Sequence, residues 1–257
     1  MSDEKQRPPR DDLVRAEAGG FELRDSTGDG PPVMVGHFAR FDEWTEIDSI
    51  FEGNFMERVA PGAFKKTFAE NGARMRVLFQ HGMDPQIGDK PLGAIDVLEE
   101  DRQGAYYEVP LLDAPYVRDN ILPGLQANLY GSSFRFSVQR EEFNRDAKQS
   151  DSNPKGLPER TLKEVAVREF GPVTFPAYAG ASAGVRSLTD QFIFDKLARL
   201  PERARELLEQ ASDAPSHTDA GETAPPPVEE RRDPPKTWPK VSHEEWEEVK
   251  KEWNHRI

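Results

Sequence analysis

The chain has no cysteine in its 257 residues, which removes disulfides, thiolate metal sites and a cysteine nucleophile at once. Its five histidines, His37, His81, His217, His243 and His255, show neither HExxH nor HxH spacing. No metal centre and no cofactor are therefore expected. Long apolar runs are missing too, with nothing near the roughly 18 residues that span a bilayer. The start, "MSDEKQRPPRDDLVRAEAG", is charged and lacks the apolar heart of a signal peptide. Positive charge is in deficit, with 34 Lys and Arg against 47 Asp and Glu and a net charge of −13. That balance argues against non-specific nucleic-acid binding and favours solubility. The expectation is a soluble intracellular protein.

What remains is organised in blocks. Residues 1–20 read as a flexible N-terminal arm, and residues 21–188 as one folded domain of short apolar runs punctuated by Gly, Pro and Asp. Strands are expected in "PVMVGHFARF", "RMRVLFQHG", "PLGAIDVLEED", "GAYYEVPLL", "LYGSSFRFSVQREEF" and "TLKEVAVREFGPVTF". Two helices interrupt them. "APGAFKKTFAENG" places Phe64 and Phe68 on one face with Gly72 as its stop, and "DAPYVRDNIL" offers Asp113 as an N-cap. Many strands with few helices favour a β-dominated barrel or sandwich over a doubly wound α/β fold. The polar stretch "RDAKQSDSNPKGLPER" reads as a mobile surface loop.

Residues 189–212 return to helical period, and 213–240 are proline-rich and too poor in apolar residues to fold. Residues 241–257 then form a charged helix with a capping box from Ser242 and Glu245 and an apolar stripe of Trp246, Val249 and Trp253. Such a helix either folds back on the main domain or, more economically for a tethered segment, docks into a groove on another protein.

The chemistry-bearing candidates lie in the strands. In "LYGSSFRFSV" side chains alternate, so Tyr130, Ser132, Phe134, Phe136 and Val138 share one face while Gly131, Ser133, Arg135 and Ser137 share the other. Ser133 therefore faces away from the apolar row, beside a glycine that leaves room for an approaching backbone. A nucleophilic serine needs a base and an orienting acid. His81 closes the apolar run "RVLFQ" and is the candidate base, with His37 in the first strand as its competitor. In "LKEVAVREFGPVTF" strict alternation aligns Glu169 with Val165 and Val167, where a buried carboxylate needs a partner such as a histidine N–H; Glu164 is the fallback acid.

The ordered blocks "GHFARFDEW", "FMERVAPGAF", "VLFQHG…PLG", "GSSFRF" and "LKEVAVREFGPVTFPAYAGA" resemble the prohead maturation serine protease family of tailed bacteriophages, over roughly Val33 to Ala183. That family is related in fold to the herpesvirus assembly proteases. The resemblance implies a herpesvirus-protease-like β-barrel ringed by helices and an enzyme that cleaves scaffold or capsid-protein precursor segments, and itself, inside proheads assembling in the host cytoplasm. It implies His81, Ser133 and Glu169 as the catalytic set, capsid precursor and scaffold segments as partners, and a homodimer as a possible state. Two departures stand out. Ser132 replaces an apolar residue of the family block, and Arg135 replaces its second glycine. The rival reading is a non-catalytic scaffolding or assembly protein with a protease-derived barrel, in which the tail does the work.

Overall fold

Two β-sheets carry the domain in the computed structural model, which describes residues 7–17, 21–25, 30–174 and 186–199. The strands are β1 (Leu13–Glu17), β2 (Phe21–Arg24), β3 (Val33–Arg40), β4 (Thr45–Ser49), β5 (Gly53–Val59), β6 (Arg76–Val77), β7 (Val97–Glu100), β8 (Gly104–Pro110), β9 (Gly131–Asn144), β10 (Glu159–Val173) and β11 (Arg186–Ser187). The α-helices are α1 (Lys65–Asn71), α2 (Leu122–Gln126) and α3 (Thr189–Ala198). A seven-stranded sheet runs β11-β1-β9-β10-β5-β4 with β6 beside β10, and a four-stranded sheet runs β2-β3-β8-β7. All pairs are antiparallel except β10 with β5 and with β6.

The barrel expected from the resemblance is not closed. Among the described residues no strand pairing joins the two sheets, so each keeps its own edges and the fold is mixed α+β, mostly strands with a few helices. Side-chain packing does most of the work of holding the sheets together, with Arg40 of β3 also bonding Glu17 of β1 (3.0 Å). Phe38 of β3 packs 5.3 Å from Phe134 and 4.7 Å from Phe170, centroid to centroid, and so bridges the small sheet to β9 and β10. Phe64 at the start of α1 closes the same cluster, 5.5 Å from Phe38 and 5.9 Å from Phe134. Aromatic pairs at these separations contribute beyond the area they bury.

The expected flexible arm contains β1, which is buried and lies second from the edge of the large sheet. Its charge hid it. Arg15 is buried because its guanidinium meets Glu52 (2.7 Å) and Glu57 (2.6 Å), and the chain of charges continues through Arg160 (3.4 Å from Glu57, 2.7 Å from Glu141). Burial works against the Arg15 charge, but Glu52 and Glu57 outweigh it and hold its pKa above the ordinary value. Removing one partner from such a buried set strands the other's charge, at a cost of about 3–5 kcal/mol.

Other local differences have local causes. The run "RMRVLFQHG" is extended only at Arg76–Val77 before it curls into a 3₁₀ turn at Phe79–Gly82. "DAPYVRDNIL" begins with a π-helical turn, Tyr116–Ile121, whose N-cap is Pro115, while the Asp113 carboxylate pairs with Arg118 instead of capping. In the polar loop before β10, Asn153 is buried and bonds Leu157 in both directions (2.8 and 2.9 Å), giving that loop an internal anchor. Of the helix expected over 189–212, Thr189–Ala198 is seen; residues 213–240 and 241–257 lie outside the described residues.

Candidate active site

Ser133, His81 and Glu169 are brought together in one hydrogen-bonded series. His81 Nε2 lies 2.9 Å from Ser133 Oγ, and His81 Nδ1 lies 2.8 Å from Glu169 Oε1. A carboxylate only accepts, so Nδ1–H is the donor to Glu169 and Nε2 is left as an acceptor facing the hydroxyl. All three groups are secluded, with Ser133 0% exposed and the side chains of His81 and Glu169 at 8% and 6%.

β9 supplies Ser133 by simple alternation. Ser132, Phe134 and Phe136 turn into the core, whereas Ser133 and Arg135 turn to the opposite face. Ser132 is buried near Tyr107, whose phenol is pushed up by burial, and its own hydroxyl makes no hydrogen bond of good geometry. It does not face His81. Thus the two adjacent serines are sorted by the pleat.

Glu169 arrives by a different route from the one alternation predicts. Val167 pairs with Phe136 on the core face, yet Glu169 pairs with Arg135 on the other, because Arg168 is an extra residue in β10 at this register shift. The bulge flips the phase, so Glu169 faces His81 instead of following Val165 and Val167 inward. Its Oε2 is buried without a partner among the described residues. Strict alternation thus singled out the glutamate that meets His81 but assigned it to the wrong face.

His81 depends on strained backbone. Gln80 (φ 51°) and His81 (φ 55°) are both left-handed, followed by Gly82 at φ 75°. A non-glycine residue in such a conformation costs on the order of 1–3 kcal/mol and persists only where its surroundings over-determine it. Here β6 pairs in parallel with Glu169 and Phe170, Leu78 N–H donates to Phe170 O (2.9 Å), and Gln80 Nε2 donates to Thr174 Oγ1 (2.7 Å). Gly171 permits this close approach, since a Cβ there would sit 2.0 Å from the Leu78 carbonyl oxygen. The turn then carries the imidazole back over Glu169 to Ser133.

The alternatives go elsewhere. His37 bonds Asp101 (2.8 Å) on the small sheet, and Glu164 accepts from Lys66 (3.0 Å). Arg135 shares the Ser133 face but is engaged, bonding Asp12 at 2.6 and 3.1 Å with its guanidinium 4.7 Å from the Phe192 ring centre. Burial pushes the Asp12 carboxyl up, but Arg135 and Lys196 outweigh it and hold it below its usual range.

Two neighbours of the site were not foreseen from sequence. The Arg15 main-chain carbonyl accepts from Ser133 Oγ at 2.8 Å, and the Phe192 ring meets His81 edge-on at 5.8 Å. The carbonyl has no sequence signature, whereas Phe192 belonged to a legible helix whose docking face was not. Among the described residues no cluster of His, Asp and Glu suits a metal ion. No helix there is long and apolar enough to cross a membrane.

A hydroxyl, a neutral imidazole and a carboxylate bonded in series define the serine-hydrolase arrangement, in which the imidazole takes the hydroxyl proton and the carboxylate fixes its tautomer. The chain belongs to the caudovirus prohead serine protease family, whose model matches residues 20–192. A solved structure, the capsid assembly protease gp21 of bacteriophage T4, is similar at 13% identity and a TM-score of 0.41, covering 65% of this chain and 98% of that one. No curated protein matches the chain.

Proposed function

We propose that this chain is the serine endopeptidase of phage head maturation, with Ser133 as nucleophile, His81 as general base and acid, and Glu169 as the group that orients and steadies the imidazolium. The observation that carries the proposal is the unbroken series from Ser133 Oγ through both His81 nitrogens to Glu169. In the acylation step the Oγ–carbon bond forms as His81 Nε2 takes the hydroxyl proton. The carbon–nitrogen bond then breaks and the same proton passes to the leaving amine. Water repeats the sequence, giving its proton to His81 and releasing the acid as Ser133 recovers its hydrogen. No metal or cofactor takes part.

The resting hydroxyl has one hydrogen and two acceptors, the Arg15 carbonyl at 2.8 Å and His81 at 2.9 Å. Only the second path is productive, so the Arg15 bond competes with activation. Family membership supports action within assembling proheads; in this reading the substrates are capsid-protein precursor and scaffold segments and the chain itself. Residues 241–257, with the linker before them, serve in this reading to dock the enzyme into the shell, and a homodimer is compatible with it.

Co-expression with the capsid precursor tests the assignment. Wild-type and Ser132→Ala chains are expected to yield the processed product, while Ser133→Ala and His81→Ala leave the precursor intact. Processing that persists in both of the latter would show the proposed roles to be wrong, and a wild-type chain that leaves the precursor intact would favour an assembly protein that has lost catalysis.

A further inference from the structure

The series of catalytic groups is complete yet secluded, with Ser133 0% exposed and the His81 side chain at 8%. β9 is paired along both edges at Ser133, with Ala16 of β1 on one side and Gly171 of β10 on the other. A peptide therefore cannot join β9 as an added strand there and must come from the open face, the one that displays Ser133 and Arg135. That face carries α3. Phe192 stands edge-on to His81, 79° between planes, and beneath the Arg135 guanidinium, so a phenyl ring is held between an imidazole and a cation. Two surface grooves elsewhere, one along Ser137, Gln139 and Arg168 and one beside Trp44 and Arg58, include none of the three catalytic groups.

The attachment of α3 is uneven. Its first turn is latched, with Asp190 accepting from Ser49 Oγ (2.5 Å), Ile50 N–H (2.9 Å) and Phe51 N–H (3.3 Å), and Thr189 Oγ1 accepting from Val14 N–H (3.0 Å). Beyond that turn Phe192 is its one fully buried residue; the half-buried Phe194 ring meets Phe51 at 5.5 Å, the half-exposed Lys196 reaches Asp12 (3.1 Å), and Arg199 bonds the Met83 carbonyl. A ten-residue helix anchored by its first turn and two phenyl rings, with its last turn exposed, is the kind of short element that opens without global unfolding.

We propose that α3 is an internal plug and that Phe192 occupies the enzyme's own substrate side-chain site, the space between His81 and Arg135, which in the open enzyme takes a large apolar or aromatic side chain next to the scissile bond. This rests on the protease assignment of Ser133 and His81. The chemistry of the walls sets the substrate class. A ring placed there gains the edge contact with the imidazole and the cation–π contact with Arg135, while a small polar side chain gains neither.

The test uses the intact chain and two independent openings, Phe192→Ala, which removes the wedge, and Asp190→Ala, which cuts the latch and leaves the wedge residue unchanged. Thermal melts confirm that each variant is folded. Both are expected to raise the rate of Ser133 labelling by a fluorophosphonate at least tenfold over wild type. Phe192→Ala is further expected to cleave peptides with Phe or Leu near the scissile bond at least tenfold faster than their Ala counterparts. Labelling of the wild-type chain as fast as both variants would overturn the plug and leave the protease reading standing. Equal cleavage of the Phe and Ala peptides would overturn the side-chain site. Failure of every folded variant to label at Ser133 would sink the protease reading itself, and the plug with it.

Discussion

Two histidine–carboxylate pairs in this molecule have the same length and opposite meaning. His81 meets Glu169 at 2.8 Å over the large sheet, and His37 meets Asp101 at 2.8 Å on the small one. The distance alone distinguishes nothing. His37 sits in extended strand β3 beside Tyr106, its pair partly open to water at 12% and 36% exposure. His81 sits on two successive left-handed residues, and its second nitrogen finds a serine. Stored strain and a third group in line, rather than the ion pair itself, separate a site from a surface contact.

The comparison breaks most sharply under mutation of the reactive groups. Ser133→Ala and His81→Ala should each lower kcat/KM for precursor cleavage by at least about 10⁴-fold, as loss of a member of such a unit does elsewhere. His37→Ala should leave it within about threefold, since surface pairs are worth at most about 1 kcal/mol. Next comes Glu169→Gln, with an expected loss of about 10²–10⁴-fold because the amide no longer fixes the imidazole tautomer; Asp101→Asn should be silent in the same assay.

Stability provides the smaller effects. Gly171→Ala forces a methyl onto the Leu78 carbonyl and should cost about 1–3 kcal/mol in urea unfolding, with activity falling alongside because the His81 turn moves. Ser132→Ala removes a buried hydroxyl without a good partner and should be neutral or slightly stabilising.

Acid titration gives the finest discrimination. Asp12 is held low against its burial by Arg135 and Lys196, and Asp101 against its desolvation by His37 and the N–H groups of Gly104 and Gln103. A carboxyl depressed on folding contributes stability that is full above its unfolded pKa, near 4, and is lost as pH falls through the folded value. Tm should therefore drop as pH is lowered below about 4, and Asp12→Asn should flatten that drop, because Asp12 answers to two cations at once.

Much of this was legible in the chain. Alternation in "GSSFRF" separated Ser133 from Ser132, and the long strands β9 and β10 lie where their β-branched and aromatic runs place them. Family resemblance and residue chemistry together named His81 and Glu169. What stayed hidden depends on contacts distant in sequence. β1 reads as a charged arm because only Glu52 and Glu57, some forty residues on, make a buried Arg15 affordable. The bulge at Arg168 leaves no mark in a two-residue pattern, so the face of Glu169 was misjudged. The apolar run ahead of His81 suggests a strand, while Gly171 and the Leu78–Phe170 bond impose a turn. Barrel closure is likewise a matter of pairing between sheets, which alternation within strands does not specify.

The central claim, that His81 activates Ser133 and not its neighbour, is tested most directly by fragment mass spectrometry of the fluorophosphonate adduct in the wild-type chain and in His81→Ala after prolonged exposure. The account predicts an adduct on Ser133 alone that disappears in His81→Ala. An adduct on Ser132, or one on Ser133 that forms equally well without the imidazole, would contradict it.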